Sequence, residues 1–443
     1  MGVKRVWSTA GVVALTGALL LTSAPVASAD YIRDQQWTLG VFSSEKVWAE
    51  SQGQGVTVAV VDTGVDASHP DVTGQVLAGK DFTGDEDPHS DEGGHGTGMA
   101  SLIAGHGHGE NNSAGVMGLA PKAKILPVRV MRTGKGDVID ERRWAAGIRY
   151  AVDQGASVIN LSFIDEHAYP GTDAAKAIAY AQERDVVVVA GAGNDGEAKV
   201  STPAALPGVV AVGAVDRSLD FWDKSNFGKG MTLTAPGEKN LTADPTRSGG
   251  YAETAGTSDS TAFVSATAAL VRSKYPDLTA GQVINRLIKS ATLLKHDVKK
   301  VPDEEFGYGI LRPYQALTMN IPKGPKEGPL AKAPSSTSSK AGSASESDDS
   351  TTSQAKKRKK TSSGGILVIA GIAAVVVIGG IVFALIRSRS NRGSGGPGGT
   401  YPQGMGYPNQ PPYPAAQQPH TTAAPGQAQT SSPYGQQPPP HGQ

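Results

Sequence analysis

The stretch VTVAVVDTG, residues 56–64, is an apolar run that ends abruptly in an aspartate, a threonine and a glycine. Apolar side chains at consecutive rather than alternate positions predict a strand that is buried on both faces, as in a parallel sheet. Four further runs have the same character: ILPVRV (125–130), VINLSF (158–163), VVVVAGA (186–192) and VVAVGAV (209–215). Five such strands predict a sheet that other elements cover on both sides.

The segments between these runs have the apolar spacing of amphipathic helices. This spacing predicts helices over 141–155, 173–185 and 279–292, the last of them capped by Thr279. Strands and helices in alternation, from about residue 45 to residue 317, predict an α/β fold. We expect a mostly parallel, doubly wound sheet with helices on both faces, and we assign residues 30–320 to this domain.

Two polar residues follow predicted strands at the edge where doubly wound sheets bind their ligands. Asp62 ends the first strand, and Asn194 comes shortly after the VVVVAGA run. Each has a simple structural explanation, as a strand terminator or as part of an Asn-Asp-Gly turn. Asp-Thr-Gly also occurs in aspartic proteases, but that chemistry needs two such aspartates, and the chain has no other DTG or DSG sequence.

A histidine and a serine stand at predicted helix starts. His95 lies in GGHGTGMASLIAG (93–105), where the glycines allow close approach of the backbone. Ser258 lies in AGTSDSTAFVSATAAL (255–270), at a position where serine is also an ordinary helix cap. Peptide hydrolysis needs a nucleophile, a base, a carboxylate that orients the base, and donors for the oxyanion. Residues of this chain can fill these roles in that order: Ser258, His95, Asp62 and Asn194.

Four segments resemble, in chain order, the aspartate, histidine, oxyanion-asparagine and serine motifs of the subtilases: VAVVDTGVDASHPDV, GGHGTGMASLIAG, VVVVAGAGNDG and AGTSDSTAFVSATAAL. The order Asp, His, Ser is that of subtilisin. The resemblance implies a serine endopeptidase that acts on proteins or peptides. In it, Asp62 orients His95, and His95 serves as general base for Ser258. The resemblance also implies that Asn194 and the Ser258 amide bind the oxyanion.

Other positions either match the subtilase pattern or depart from it. Ser162 and Phe163 match the segment that pairs with the substrate backbone in this family, and Ile164 stands where glycine is common beside the substrate pocket. Ala262 replaces the usual proline four residues after the serine, a change that should preserve the helix. Asp259, directly after the serine, adds negative charge that could raise the pKa of the histidine or alter the leaving-group preference.

The composition excludes several other classes of function. The 41 basic and 41 acidic residues of the 443-residue chain cancel, so the global charge does not favour nucleic acid as a partner. The absence of cysteine excludes disulfides, thiolate catalysis and cysteine metal sites. His106 and His108 lack a convincing third ligand and are interpreted as loop histidines, so we expect no metal or other cofactor.

Segments outside the α/β domain predict an exported, membrane-anchored chain. Residues 1–29 have the basic start, apolar run and Ala-Ser-Ala site of a signal peptide. A disordered Ser/Lys/Pro-rich stalk is predicted at 321–364, a transmembrane helix at 365–387, and a Pro/Gln/Gly-rich cytoplasmic tail at 388–443. The signal peptide places the catalytic domain outside the cytoplasm, although the KKRKK run at 356–360 opposes the positive-inside rule.

This arrangement resembles the mycosins, the membrane-anchored subtilases associated with type VII secretion in actinobacteria. Only about 15 residues separate the expected cleavage site from the start of the domain, too few for the inhibitory foldase of ordinary secreted subtilases. The resemblance implies a type VII secretion membrane complex as partner. An alternative stays open, in which the chain is a structural subunit that stabilises such a complex and has little proteolytic role.

Overall fold

The structure is a computed structural model that describes residues 31–84, 87–132, 139–294 and 296–332. Its strands are β1 (Thr57–Asp62), β2 (Lys80–Asp81), β3 (His106–His108), β4 (Ala114–Met117), β5 (Lys124–Arg129), β6 (Val158–Leu161), β7 (Val187–Gly191), β8 (Val210–Val215), β9 (Leu233–Pro236), β10 (Asn240–Ala243) and β11 (Tyr251–Thr254). Its α-helices are α1 (Tyr31–Gln35), α2 (Trp37–Phe42), α3 (Ser44–Glu50), α4 (His95–Ala104), α5 (Glu141–Asp153), α6 (Asp173–Glu183), α7 (Thr257–Lys274), α8 (Ala280–Ser290) and α9 (Pro313–Thr318).

The central sheet has seven strands in the order β2-β5-β1-β6-β7-β8-β9. All neighbouring strands in it are parallel, so the predicted α/β fold with a mostly parallel sheet is confirmed. After β1, the next strands of this sheet along the chain, β2 and β5, lie on one side of β1. The chain then crosses to β6 on the other side. This reversal makes the C-terminal end of β1 a topological switch point, where ligands bind in such sheets.

Burial on both faces explains why the strands read as continuous apolar runs. In β1, Val58 and Val60 belong to the core that also contains residues of α4, α7 and α8. Ala59 and Val61 belong to a second core, with Trp144 of α5 and Ile178 of α6. The helices predicted over 141–155, 173–185 and 279–292 therefore cover the sheet as expected, and Thr279 caps α8 in a capping box with Gln282.

Helix α7 is buried around most of its circumference, which its composition of small residues permits. A helix with no polar face must satisfy its hydroxyl groups internally. Thr261 and Thr267 do so by donating to carbonyl oxygens four residues back, at 2.7 and 2.8 Å. The helix packs against β6, β7, β8 and β9 and so brings its N-terminus to the edge of the sheet that carries Asp62.

The chain already forms helices before residue 45, where the predicted alternation of strands and helices begins. Arg33 of α1 donates to the carbonyl oxygens of Asn112, Ala114 and Gly115 at 3.0–3.1 Å. The Phe42 ring meets Phe263 of α7 at 5.1 Å between centroids. Helices α1 to α3 thus pack as part of the domain.

The C-terminal boundary also differs from the prediction of a stalk from residue 321. Gln282 Nε2 donates to the Gly324 carbonyl oxygen at 3.0 Å, and Thr279 Oγ1 donates to that of Lys326 at 2.6 Å. Residues just after 320 therefore contact α8, because this helix offers side chains that reach their backbone.

The predicted signal peptide (1–29), transmembrane helix (365–387) and cytoplasmic tail (388–443) lie outside the described residues. In the part of the chain that the structure describes, no helix has both the length and the apolarity to cross a bilayer.

Candidate active site

Asp62, the last residue of β1, holds the His95 side chain at the switch point of the sheet. Its fully buried carboxylate accepts from His95 Nδ1 at 2.8 Å and from the Thr63 amide at 2.8 Å, both at Oδ1. A carboxylate can only accept, so the imidazole carries a proton on Nδ1 and its Nε2 is left for other partners. Oδ2 is buried and receives no hydrogen bond from the described residues, so the imidazole is the main compensation for this charge.

Glycines allow the start of α4 to lie directly against the end of β1. Gly94, the N-cap, has φ +74°, a left-handed conformation that favours glycine. A Cβ on Gly96 would lie 2.0 Å from the Gly64 carbonyl oxygen. The sequence prediction that glycines around His95 permit close backbone approach is thus supported at these two positions.

Asp91 caps α4 from outside the helix, a role that sequence reasoning missed. Its carboxylate accepts from the Thr97 amide and hydroxyl at 2.8 and 2.7 Å, from the Gly94 amide at 2.9 Å and from the Thr63 hydroxyl at 2.8 Å. One buried side chain therefore joins the residue after Asp62 to the helix that begins with His95. An acidic residue four positions before the histidine was the available signal.

Ser258 is the second residue of α7 and does not cap it. The N-cap is Gly256, and the Ser258 hydroxyl donates to the Ser162 carbonyl oxygen at 3.2 Å. Ser162 Oγ in turn donates to the Ser258 carbonyl oxygen at 3.2 Å. The interpretation of Ser258 as an ordinary helix cap is therefore wrong, since its hydroxyl points out of the helix toward the end of β6.

A buried chain of hydrogen bonds supports the contact between Ser162 and Ser258. Ser265 of α7 donates to Asn160 Oδ1 at 3.0 Å, and Asn160 Nδ2 donates to Ser162 Oγ at 2.9 Å. Asn160 is fully buried in β6 and was not singled out from the sequence. It fixes the end of β6 against the helix that carries Ser258.

Phe163, predicted together with Ser162 to contact substrate, has its ring in the core. The side chain is only 8% exposed and meets Trp144 edge-on at 5.6 Å between ring centroids. Its backbone, beside Ser162 at the end of β6, is the part that can pair with a peptide. Ile164 follows in the same segment, half-buried.

Asn194 lies three residues beyond the end of β7, with its side-chain oxygen fixed. Oδ1 accepts from the Thr257 amide at 2.8 Å and from the Thr257 hydroxyl at 3.0 Å. Because a backbone N–H only donates, the atom facing it is the oxygen, and the NH₂ group is free to donate elsewhere. A Cβ on Gly256 would lie 3.5 Å from both Oδ1 and Nδ2 of Asn194 and 3.6 Å from the Ser258 nitrogen, so the Asn194 amide lies close to the start of α7.

One cavity of about 380 Å³ brings these groups together. His95, Asn194 and Ser258 line it, with Asp62 behind the imidazole. Asp244, Thr254 and Asp259 line it as well. In this conformation the Ser258 hydroxyl donates to Ser162 rather than to the imidazole, and catalytic hydrogen bonds are often loose before substrate binds.

The charges around His95 make its imidazole more basic than usual. Desolvation disfavours the protonated ring, but the charge and hydrogen bond of Asp62, followed by the charges of Asp259 and Asp91, outweigh it and raise the pKa of His95 to about 9. The side chain is 39% exposed, so solvent screens part of this effect, while its direction follows from the buried carboxylates.

His106 and His108 lie on strand β3, not in a loop as predicted. His108 Nδ1 donates to Oδ1 of the buried Asp71 at 2.6 Å, and His106 Nε2 bonds the Thr73 carbonyl oxygen at 2.8 Å. Their short strand pairs with β4, which explains the difference from the prediction. Among the described residues, no group of three histidine or acidic side chains is arranged to hold a metal ion.

Comparison with known proteins gives one family over the whole site. A model of the subtilase family matches residues 53–309. Thermitase from Thermoactinomyces vulgaris is 36% identical over 248 residues, 55% of this chain and 84% of thermitase. Subtilisin Savinase from Lederbergia lenta is 37% identical over 243 residues, 55% of this chain and 85% of Savinase.

Solved structures of mycosins are similar to this fold. The crystal structure of MycP1 from Mycobacterium smegmatis is 28% identical, with a TM-score of 0.57 over 66% of this chain and 87% of that one. The structure of the MycP3 protease from the type VII (ESX-3) secretion system is 30% identical, with a TM-score of 0.56 over 64% and 88% of the two chains.

Proposed function

Since the chain belongs to the subtilase family and is a serine endopeptidase, we propose that its peptide hydrolysis depends on Asp62, His95 and Ser258. The observation that carries this proposal is the 2.8 Å hydrogen bond between Asp62 and His95 in the cavity that Ser258 also lines. Asn194 and the Ser258 amide are the proposed oxyanion donors, because both residues line this cavity beside His95.

The first step transfers the Ser258 proton to His95 as the serine oxygen attacks the peptide carbonyl. Asp62 holds Nδ1, so Nε2 accepts this proton and later donates it to the leaving amine. The Ser258 hydroxyl must first turn from the Ser162 carbonyl oxygen toward Nε2. Water then enters in place of the leaving group, and the same groups cleave the acyl-enzyme.

The negative charge on the former carbonyl oxygen falls near the N-terminus of α7. There the Asn194 NH₂ group and the Ser258 N–H can both donate to it, and the positive end of the helix dipole adds to their effect. Because Thr257 fixes the Asn194 oxygen before substrate arrives, these donors need no reorganisation during the reaction.

We further propose that the protease is anchored in the cell membrane by residues 365–387, with its catalytic domain outside the cytoplasm. The basic and apolar N-terminal segment and the uncharged stretch 366–386 support this topology. The similarity to MycP1 and MycP3 supports association with a type VII secretion membrane complex.

A fluorophosphonate probe tests both proposals on the full chain in its host membranes. The probe forms a covalent bond only with an activated serine, so the wild type should be labelled in the membrane fraction and Ser258→Ala should not. Ser260→Ala is the matched control, because that buried serine of the same helix donates to the Ala235 carbonyl oxygen, and its loss should leave labelling intact.

The outcomes separate the alternatives. Undiminished labelling of Ser258→Ala would contradict the assigned nucleophile. A folded wild type that takes up no probe would favour the structural-subunit alternative. Labelled protein found only in the soluble fraction would contradict the membrane anchor and leave the catalytic assignment standing.

A further inference from the structure

Asp259 is a buried carboxylate directly after the proposed nucleophile. The residue is only 2% exposed and lies in the first turn of α7. Its Oδ2 accepts from Asn240 Nδ2 at 3.0 Å and from the Thr254 hydroxyl at 2.8 Å. Two residues of the β10–β11 hairpin therefore fix this side chain at the wall of the catalytic cavity.

The cavity contains acidic groups but no permanent cation. None of the described residues that line it is a lysine or an arginine, so His95 is the one group there able to carry positive charge. Asp62 of β1 contacts the imidazole directly, and the charges of Asp91, in the loop before α4, and Asp259, of α7, also favour its protonated form. Asp244 also lines the cavity, but it is bonded within its own turn to Thr246 and Arg247.

We propose that Asp259 is a positioning residue whose buried charge at the wall of the catalytic cavity favours the protonated form of His95 and so sets the pH above which peptide hydrolysis becomes fast. The proposal rests on the role of His95 as general base. An imidazolium has no lone pair on Nε2, so it cannot accept the Ser258 proton until it has released its own proton to solvent. In the structure the Ser258 hydroxyl donates to the Ser162 carbonyl oxygen and not to the imidazole.

The protonation states of the two groups are consistent over the relevant pH range. Burial raises the pKa of Asp259 to about 6, although the hydrogen bonds from Asn240 and Thr254 and the charge of His95 oppose the rise. Above that pH the carboxylate is charged and favours the protonated imidazole, whose pKa lies near 9. Removal of the charge must therefore lower the pKa of His95 and not raise it.

The test is the pH dependence of kcat/KM for Asp259→Asn in the full chain, measured on a peptide substrate from pH 5 to pH 10. Asparagine retains an oxygen that can accept from Asn240 and Thr254 but carries no charge. We expect the midpoint of the rise in kcat/KM with pH, the acidic limb of the profile, to move about one pH unit lower. The variant should then be up to about tenfold more active than the wild type at pH 7. Asp244→Asn, in the same cavity but bonded to Arg247, should leave the limb in place.

A second measurement does not depend on activity. The His95 imidazole is titrated by NMR in Ser258→Ala and in Ser258→Ala/Asp259→Asn, and the midpoint should again fall by about one unit. This readout survives if the proposed function fails, because it needs no turnover.

Two results would overturn the proposal. In the first, Asp259→Asn lowers thermal stability while both the acidic limb of the kcat/KM profile and the titration midpoint of His95 stay in place. Asp259 would then have a structural role only. In the second, the variant loses a preference for lysine or arginine in the leaving group with an unmoved limb, which makes Asp259 a substrate subsite.

Discussion

Two regions of this domain contain the same pair of side chains, yet the structure makes only one of them part of the catalytic cavity. His95 donates to Asp62 at 2.8 Å, and His108 donates to Asp71 at 2.6 Å. In both pairs the imidazole is 39% exposed and the carboxylate is fully buried. The partners are 33 residues apart in the first pair and 37 in the second.

The surroundings of the two carboxylates differ. Asp71 Oδ2 accepts from the Val116 amide at 2.7 Å, so strand β4 shares its charge. Asp62 Oδ2 receives no hydrogen bond from the described residues, and its charge acts on His95. His95 lines the cavity with Ser258, whereas His108 lies on a hairpin beside the Tyr251 hydroxyl. A His–Asp pair is therefore a building unit, and the elements around it decide whether it serves catalysis or packing.

Equivalent substitutions in the two pairs give the largest expected contrast. Asp62→Asn can donate to Nδ1 and stabilise the wrong tautomer, so kcat should fall by about 10⁴-fold. Asp71→Asn should keep kcat within about threefold of the wild type and lower the free energy of unfolding by about 2–3 kcal/mol, because it weakens buried charge-assisted hydrogen bonds.

Steady-state kinetics and chemical denaturation check this contrast, with the denaturation performed in a Ser258→Ala background to prevent self-cleavage. A loss of kcat in Asp71→Asn comparable to that in Asp62→Asn would show that the second pair also serves the reaction.

The same comparison shows how far the sequence alone could lead. The five predicted strands, the three predicted helices over 141–155, 173–185 and 279–292, and the chemical order Asp62, His95, Ser258 follow from local apolar patterns and short motifs, since each is encoded within about 15 residues. The pairing of His108 with Asp71 is not encoded locally. It depends on strand β3 bending back along β4, and the sequence indicated only a histidine in a loop.

Asp91 and Asn160 escaped prediction for a related reason. Asp91 bonds Thr63 across 28 residues, and Asn160 bonds Ser265 across 105. Polar residues of this kind are common in loops and strands, and only the folded chain brings their partners to them. Helices α1 to α3 were not predicted, because they are five to seven residues long, too short for a clear helical period.

The second difference between the two regions is the pair of oxyanion donors beside Ser258. Asn194→Ala removes one of them, and the equivalent change in subtilisin, a member of the same family, costs about 10²–10³-fold in kcat. We expect a loss of that size here with little change in KM, since the donor acts on charge that develops in the transition state.

Thr257→Val is the matched control for this prediction. It removes one of the two donors that fix the Asn194 oxygen and keeps the backbone N–H at 2.8 Å, so kcat should fall by less than about tenfold. Equal losses in kcat/KM and in substrate affinity for Asn194→Ala would instead indicate a binding role for this side chain.

The smallest effect on activity is expected where the second pair is anchored to the N-terminal helices. Arg33 donates to three carbonyl oxygens of the segment 112–115, which includes the start of β4, the strand that pairs with the one carrying His108. Arg33→Ala leaves these acceptors without their donor and should lower the free energy of unfolding by about 1–2 kcal/mol, with kcat unchanged.

Arg33→Lys keeps the charge but cannot reach all three oxygens with one ammonium group, so its stability should lie between those of the wild type and the alanine variant. Denaturation of all three in the Ser258→Ala background measures this order. A tenfold fall of kcat in Arg33→Ala would mean that the N-terminal helices hold the catalytic cavity itself, and that the two regions are coupled rather than independent.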